Sequence, residues 1–166
     1  MKGFTLIELL VAVLIIGILA GIAFPQYMLS IEKTRATEGH ALAKHAAEAS
    51  DRYFLVYGAY PNDMELLDIT IPGDASSYNN ATDGFNRVKT KNFDVGVTTN
   101  YKFKGLANMY PVGQRYYIAI KYDGSIICET YTANADKYNK VCQIIGGKNT
   151  PGKCLNINPT GCFTLQ

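Results

Sequence analysis

The sequence predicts an α+β fold. A long N-terminal α-helix, apolar in its first half and amphipathic in its second, packs on a three- to four-stranded antiparallel sheet and is followed by a disulfide-stapled C-terminal region. Three observations predict it. No charged residue falls between Glu8 and Glu32, so residues 9–31 form a run of 23 uncharged positions, mostly Leu, Ile, Val, Ala and Gly. From Met28 onward apolar residues recur at three- and four-residue steps with charges between them, the pattern of a helix with one buried face. From about residue 93, β-branched and aromatic runs take over and flank an Asp123-Gly124 pair, a strong short-range hairpin signal.

The uncharged run is long enough to span a bilayer, which takes about 20 helical residues at about 1.5 Å each. Glu8 sits just inside its N-terminal end. An acid that close to a membrane core is costly and is a functional candidate by default. Pro25 removes a backbone donor and is expected to kink or open the helix locally. Gly17 and Gly21 are four apart, a G-x-x-x-G spacing that permits close helix approach. With Pro25 they mark the softest part of the helix.

In the second half, Met28, Ile31, Leu42, Ala46, Ala49, Tyr53 and Val56 are assigned to one face, and Glu48 stands four before Arg52 as a favourable helical pair. One helix over residues 4–57, about 80 Å long at about 1.5 Å per residue, ends at Gly58 and Pro61. About 5–31 is its membrane-spanning or packed part. His40 and His45 are five apart and so on different sides of the helix. They read as solvated residues, not as a metal pair.

The remaining residues 58–166 form a globular head. Residues 58–92 read as a connecting loop rich in turn chemistry, with one short helical turn near Met64. Asn80-Ala81-Thr82 matches a glycosylation sequon of low specificity. The sheet is expected over about 93–131, with Tyr116, Ile118, Ile120 and Tyr122 facing the helix. Residues 142–166, rich in Gly and Pro, are read as non-helical. All four cysteines, Cys128, Cys142, Cys154 and Cys162, fall within 128–166. An even count in a segment that the anchor places outside the cytoplasm favours disulfides. Four cysteines allow three pairings. Cys128–Cys142 and Cys154–Cys162 are favoured, because each closes a short excursion; the nested rival is Cys128–Cys162 with Cys142–Cys154.

At 166 residues and a formal net charge of +2, the chain has room for one domain on a helical extension. No Lys/Arg cluster resembles a nucleic-acid-binding patch. There is no nucleophile–base motif, phosphate loop or C-x-x-C pair, so no cofactor, metal or enzymatic activity is expected.

Three readings of the N-terminus compete. A cleaved secretory signal has a shorter apolar core and no acid at its start. An ordinary signal anchor, with Lys2 inside, leaves Glu8 unexplained. The third rests on the motif Gly3-Phe4-Thr5-Leu6-Ile7-Glu8, which with the run behind it and Pro25 resembles the processing site of type IV pilins and pseudopilins. The resemblance covers roughly residues 3–27. It implies a leader of residues 1–3, cleavage by prepilin peptidase between Gly3 and Phe4, and N-methylation of Phe4. It also implies that Glu8 pairs with the Phe4 ammonium of a neighbouring subunit, as an acid buried among apolar helices must be paired or protonated. Removing Lys2 would leave a net charge of +1. The implied function is a structural subunit of a type IV pilus, a helical homopolymer serving adhesion, motility or DNA uptake. The precursor would stand in the inner membrane with its N-terminus inside, and the assembled pilus outside the cell. The nested cysteine pairing would clamp the tail as pilin C-terminal loops commonly are. The alternatives are a pseudopilin of a type II secretion system and a membrane-tethered extracytoplasmic binding domain.

Overall fold

A computed structural model describes residues 5–76, 86–98, 103–109, 115–131, 135–150 and 161–165. One helix, α1 (Leu6–Tyr57), runs for 52 residues and passes through Pro25 without interruption. Its ends have local causes. Thr5 is the N-cap, and its side chain and that of Glu8 form a reciprocal capping box. Gly58 takes a left-handed conformation, φ 72°, and its N–H donates to the Phe54 carbonyl at 2.8 Å. Beyond it Tyr60 stacks between Phe54 and Tyr122, with ring centroids 4.6 and 4.2 Å away, and turns the chain back along the helix.

Among the described residues the head is an eight-stranded antiparallel sheet: β1 (Asp74–Ala75), β2 (Val88–Lys89), β3 (Phe93–Thr98), β4 (Phe103–Met109), β5 (Tyr116–Lys121), β6 (Ile126–Thr130), β7 (Lys148–Asn149) and β8 (Gly161–Leu165). The spatial order is β1-β2-β3-β4-β5-β6-β8-β7. The expectation of three or four strands is therefore corrected upward. The expected sheet, 93–131, corresponds to β3–β6. The additional strands are two-residue pieces too short to show alternation, or, in β8, lie in a Gly- and Pro-rich tail that hides them. The two-residue strands at both edges leave little open edge for stray pairing.

The second half of α1 lies on β3, β4 and β5. The buried stripe is Glu32, Ala36, Gly39, Ala43, Ala46, Ala47, Ala49 and Ser50. This corrects the face read from the sequence: Ala46 and Ala49 belong to it, whereas Met28 and Val56 are exposed and Leu42 and Tyr53 are only partly buried. Small side chains let the helix backbone approach the sheet. A Cβ on Gly105 of β4 would stand 2.1 Å from the Ala43 carbonyl oxygen, and one on Gly39 2.5 Å from the Phe93 ring. Ser50 Oγ is 2.8 Å from the Lys104 carbonyl, and Lys104 Nζ is 2.7 Å from Asp51 Oδ2. Apolar contact and polar stitching thus coincide at β4.

Tyr116, Ile118 and Ile120 face this core, as expected. The β5–β6 turn follows from the Asp-Gly signal. Gly124 has φ 81°, its N–H donates to Lys121, and Asp123 Oδ1 accepts from the Ser125 N–H at 2.8 Å. The opposite sheet face carries a second buried cluster: Phe103, Leu106, Tyr117, Ala119 and Ile127. There Tyr117 donates to the buried carboxylate of Glu129 directly across the ladder. Burial first, then Glu129, push the Tyr117 phenol far above its usual range.

A second helix, α2 (Ala135–Ile144), corrects the expectation that the chain is non-helical from Cys142 onward. Tyr138, Val141 and Cys142 are its buried residues, at i, i+3 and i+4. The glycines taken to exclude a helix end it: Gly146 has φ 97°, and the Gly147 N–H donates to the Cys142 carbonyl. The helix delivers Cys142 to Cys128 of β6, and the two form a disulfide with Cα atoms 5.7 Å apart. The second expected bridge, Cys154–Cys162, lies outside the described residues at Cys154, as does the sequon at Asn80. The expected Glu48–Arg52 pair is replaced. Arg52 forms a two-pronged bond to Asp68, at 2.6 and 2.7 Å, and Glu48 lies 3.9 Å from Lys44. The loop of 58–76 folds back over the helix and brings Asp68 to where both its oxygens accept from Arg52.

Candidate functional site

Two features of α1 stand apart from the packing of the head. The first is its N-terminal half. Leu6, Ile7, Leu9 and Leu10 are more than half exposed, as are most large apolar residues through Tyr27. This is the one helix among the described residues long and apolar enough to cross a membrane, and none of its apolar window is buried. Around Gly17 and Gly21 an added Cβ would meet nothing within 4 Å. Among the described residues nothing makes steric use of glycine at either position.

Glu8 is not a bare charge on this surface. Its Oε2 accepts from the Thr5 N–H at 2.8 Å and the Thr5 hydroxyl at 2.6 Å, while the Glu8 N–H donates to Thr5 Oγ1 at 3.3 Å. The carboxylate thereby satisfies the Thr5 N–H, Thr5 Oγ1 satisfies the Glu8 N–H, and the acid's sign suits the helix N-terminus. Thr5-x-x-Glu8 before an apolar run is a readable capping-box signature; attention to the acid's charge alone overlooks it. Gly3 and Phe4 lie outside the described residues.

The second feature is the junction where α1 enters the head. Glu32, the first charge after the apolar run, is only 4% exposed. Its Oε1 is 3.1 Å from Arg35 and 4.0 Å from Arg115. Its Oε2 and the nearby Tyr116 hydroxyl are buried without hydrogen-bond partners among the described residues. Burial, then Glu32, hold the Tyr116 phenol far above its usual range. Nothing in the sequence pattern distinguishes Glu32 from the exposed charges around it. His40 is half-buried, not solvated as expected, and burial followed by Lys44 lowers its pKa; His45 is exposed. No cluster of metal-ligating residues occurs among the described residues.

Residues 1–24 match the family model described as a prokaryotic N-terminal methylation motif. Over 99 residues the chain is 36% identical to the type IV major pilin protein PilE of Neisseria gonorrhoeae, covering 60% of this chain and 56% of that one. Over 126 residues it is 32% identical to a fimbrial protein of Neisseria meningitidis serogroup A, covering 75% and 69%. Over 70 residues it is 39% identical to type II secretion system core protein G of Pseudomonas aeruginosa, covering 42% and 49%. The chain spans about half the length of the first relatives it matches, from 56% down to 39%. No solved structure matches. The likeness to the meningococcal protein runs well past the apolar helix into the head, and with the methylation motif ahead of it the chain belongs to the type IV pilin family.

Proposed function

We propose that this chain is a structural subunit of a type IV pilus, not an enzyme, and polymerises through α1 into a surface filament. The observation that carries the proposal is the naked first half of α1. It is apolar on every side, and its glycines serve no contact within the monomer. Before assembly a bilayer covers that surface; in the filament, helices of other copies cover it. Adhesion, motility and DNA uptake are the roles such a filament serves. Residues 1–3 form the leader, prepilin peptidase cuts between Gly3 and Phe4, and Phe4 becomes the methylated N-terminus. The precursor stands in the inner membrane with its N-terminus inside.

Glu8 then has two successive partners. In the free subunit it caps its own helix through Thr5. In the filament it meets the Phe4 ammonium of a neighbour, where an unpaired charge is strongly disfavoured. Glu8→Gln separates the two roles, because glutamine still completes a capping box but carries no charge. With the variant as sole subunit, sheared-filament yield should fall about 100-fold or more, the order expected when a buried charge loses its partner. Thr5→Val, which breaks the cap and keeps the charge, should lower yield only slightly. Wild-type yield from Glu8→Gln together with loss from Thr5→Val would assign Glu8 to capping and refute the pairing. The likeness to a type II secretion core protein favours a second reading, a pseudopilin. A secretion defect on deletion, without any loss of surface filaments, selects that one.

A further inference from the structure

Beside Glu32 a groove of about 300 Å³ opens between α1 and α2. Its α1 wall carries Pro25, Met28 and Leu29 below and Glu32 above. Its α2 wall carries Asp136, Lys137, Lys140 and Val141, positions i, i+1, i+4 and i+5 and hence one side of that helix. Val141 is buried in the core while both lysines are exposed at the rim. We propose that this groove binds a phospholipid of the bilayer that α1 spans, with the phosphate held between Lys137 and Lys140 and an acyl chain laid along Pro25, Met28 and Leu29. The inference rests on the reading of α1 as a membrane span.

Position is the first argument. The apolar wall continues the uncharged surface of residues 9–31, and Glu32 is the first charge after it. From Pro25 to Glu32 the helix rises about 10 Å, comparable to the layer of about 5–8 Å between the hydrocarbon core and the outer headgroup limit. The order along the groove, apolar then charged, is the order of a lipid from chain to headgroup. Charge is the second argument. Lys137 and Lys140 line the groove, and Arg35 and Arg115 stand behind it against Glu32. Against these four cations stand two carboxylates, Glu32 and Asp136. Glu32 is engaged by the arginines, so the lysines face the groove with Asp136 alone to offset them. That surplus selects an anionic headgroup. An apolar helix of a second copy would fill the lower wall but leave the lysines unused.

The test is native mass spectrometry of the full-length chain released from nanodiscs of equal phosphatidylglycerol and phosphatidylcholine. Wild type should retain one phosphatidylglycerol in preference to phosphatidylcholine. Two lysines near an anionic headgroup contribute about 1 kcal/mol each, so Lys137→Gln with Lys140→Gln should cut retention roughly 30-fold. Lys33→Gln with Lys44→Gln, an equal loss of charge on exposed positions of α1, should leave it unchanged. Equal loss in both double variants would mean that general surface charge holds the lipid, and the proposal falls. Wild type that enters nanodiscs yet carries no lipid also overturns it, with the membrane reading intact; failure to enter removes both. A photo-crosslinker at Lys140 that captures a second copy and never lipid would likewise refute it.

Discussion

Gly105→Ala tests whether the small-residue seam sets the spacing between helix and sheet. The new methyl would stand 2.1 Å from the Ala43 carbonyl oxygen, 2.8 Å from the Ala47 nitrogen and 3.0 Å from the Ala47 Cβ. A comfortable carbon–oxygen contact is about 3.3 Å, so α1 must retreat from β4 by about 1 Å. The obstacles are main-chain atoms in the middle of a helix and cannot rotate away. Retreat also strains the adjacent contacts, Ser50 Oγ to the Lys104 carbonyl at 2.8 Å and Lys104 to Asp51 at 2.7 Å. Overpacking ordinarily costs about 1–3 kcal/mol, and an immovable neighbour places this change at the upper end. For a chain of this size about 3 kcal/mol lowers Tm by about 6–12 °C. The assay is thermal unfolding of the full chain in detergent, followed by near-ultraviolet tyrosine dichroism, which reports on the head. Gly39→Ala should cost less, since its new methyl meets a ring edge of Phe93 that can tilt. Gly17→Ala, with nothing within 4 Å, should not lower Tm. A Gly105→Ala melt within about 2 °C of wild type, against the 6–12 °C expected, would refute the reasoning.

Cys142→Ser removes a bridge between residues 14 apart in sequence; loop-closure entropy puts the loss at about 3 kcal/mol, and reductant should reproduce at least the same fall in Tm in the wild type. The Arg52–Asp68 pair is exposed, and its bond to Arg52 holds the Asp68 carboxyl below the ordinary range. A depressed folded pKa contributes stability that is present above the unfolded value and disappears as pH falls through the folded one. Asp68→Asn at neutral pH and acidification of the wild type below the carboxylate range should therefore both speed amide exchange in 58–76, with little change in global Tm; exchange unaltered by Asp68→Asn would show that the pair does not hold the loop.

The long helix was legible because its signals are local and repeated. An uncharged run, a charge-spaced continuation and a glycine stop all lie along one stretch of chain. The β5–β6 hairpin was legible for the same reason. The inner face of α1 is not marked by its large apolar residues. In this molecule contact is made by Ala36, Gly39, Ala43 and Ala47, while Met28 and Val56 stay outside. Small residues carry little hydrophobic signal of their own, and their value appears only when a sheet with its own Gly105 comes close. The helix α2 was hidden by the two glycines that terminate it. The partner of Arg52 was hidden because Asp68 is sixteen residues away in sequence. Of the candidate site, the apolar half of α1 was legible as an uncharged run, whereas the cap that Thr5 and Glu8 form was not part of the reading. The burial of Glu32 was not legible, since it depends on Arg35 and Arg115 converging from α1 and the start of β5.

The same device recurs at both ends of α1. In the second half, small residues let β4 come close enough for Cβ-sized exclusions of 2.1 Å, and the monomer supplies the surface that uses them. In the first half, nothing among the described residues lies within 4 Å of a Cβ added at Gly17 or Gly21. Glycine in a helix interior costs about 1 kcal/mol relative to alanine, a cost without return in an isolated chain. The two acids bounding the uncharged run follow a parallel logic. Glu32 is neutralised by arginines of its own chain. Among the described residues Glu8 is held by a cap of neutral donors, Thr5 N–H and Thr5 Oγ1, both on Oε2, which leaves its charge uncompensated. On the proposed reading both deficits, the unfilled room and the uncompensated charge, are met by another copy. A variant that corrects only one, Gly17→Ala with Gly21→Ala or Glu8→Gln, should fold and insert normally and fail at assembly.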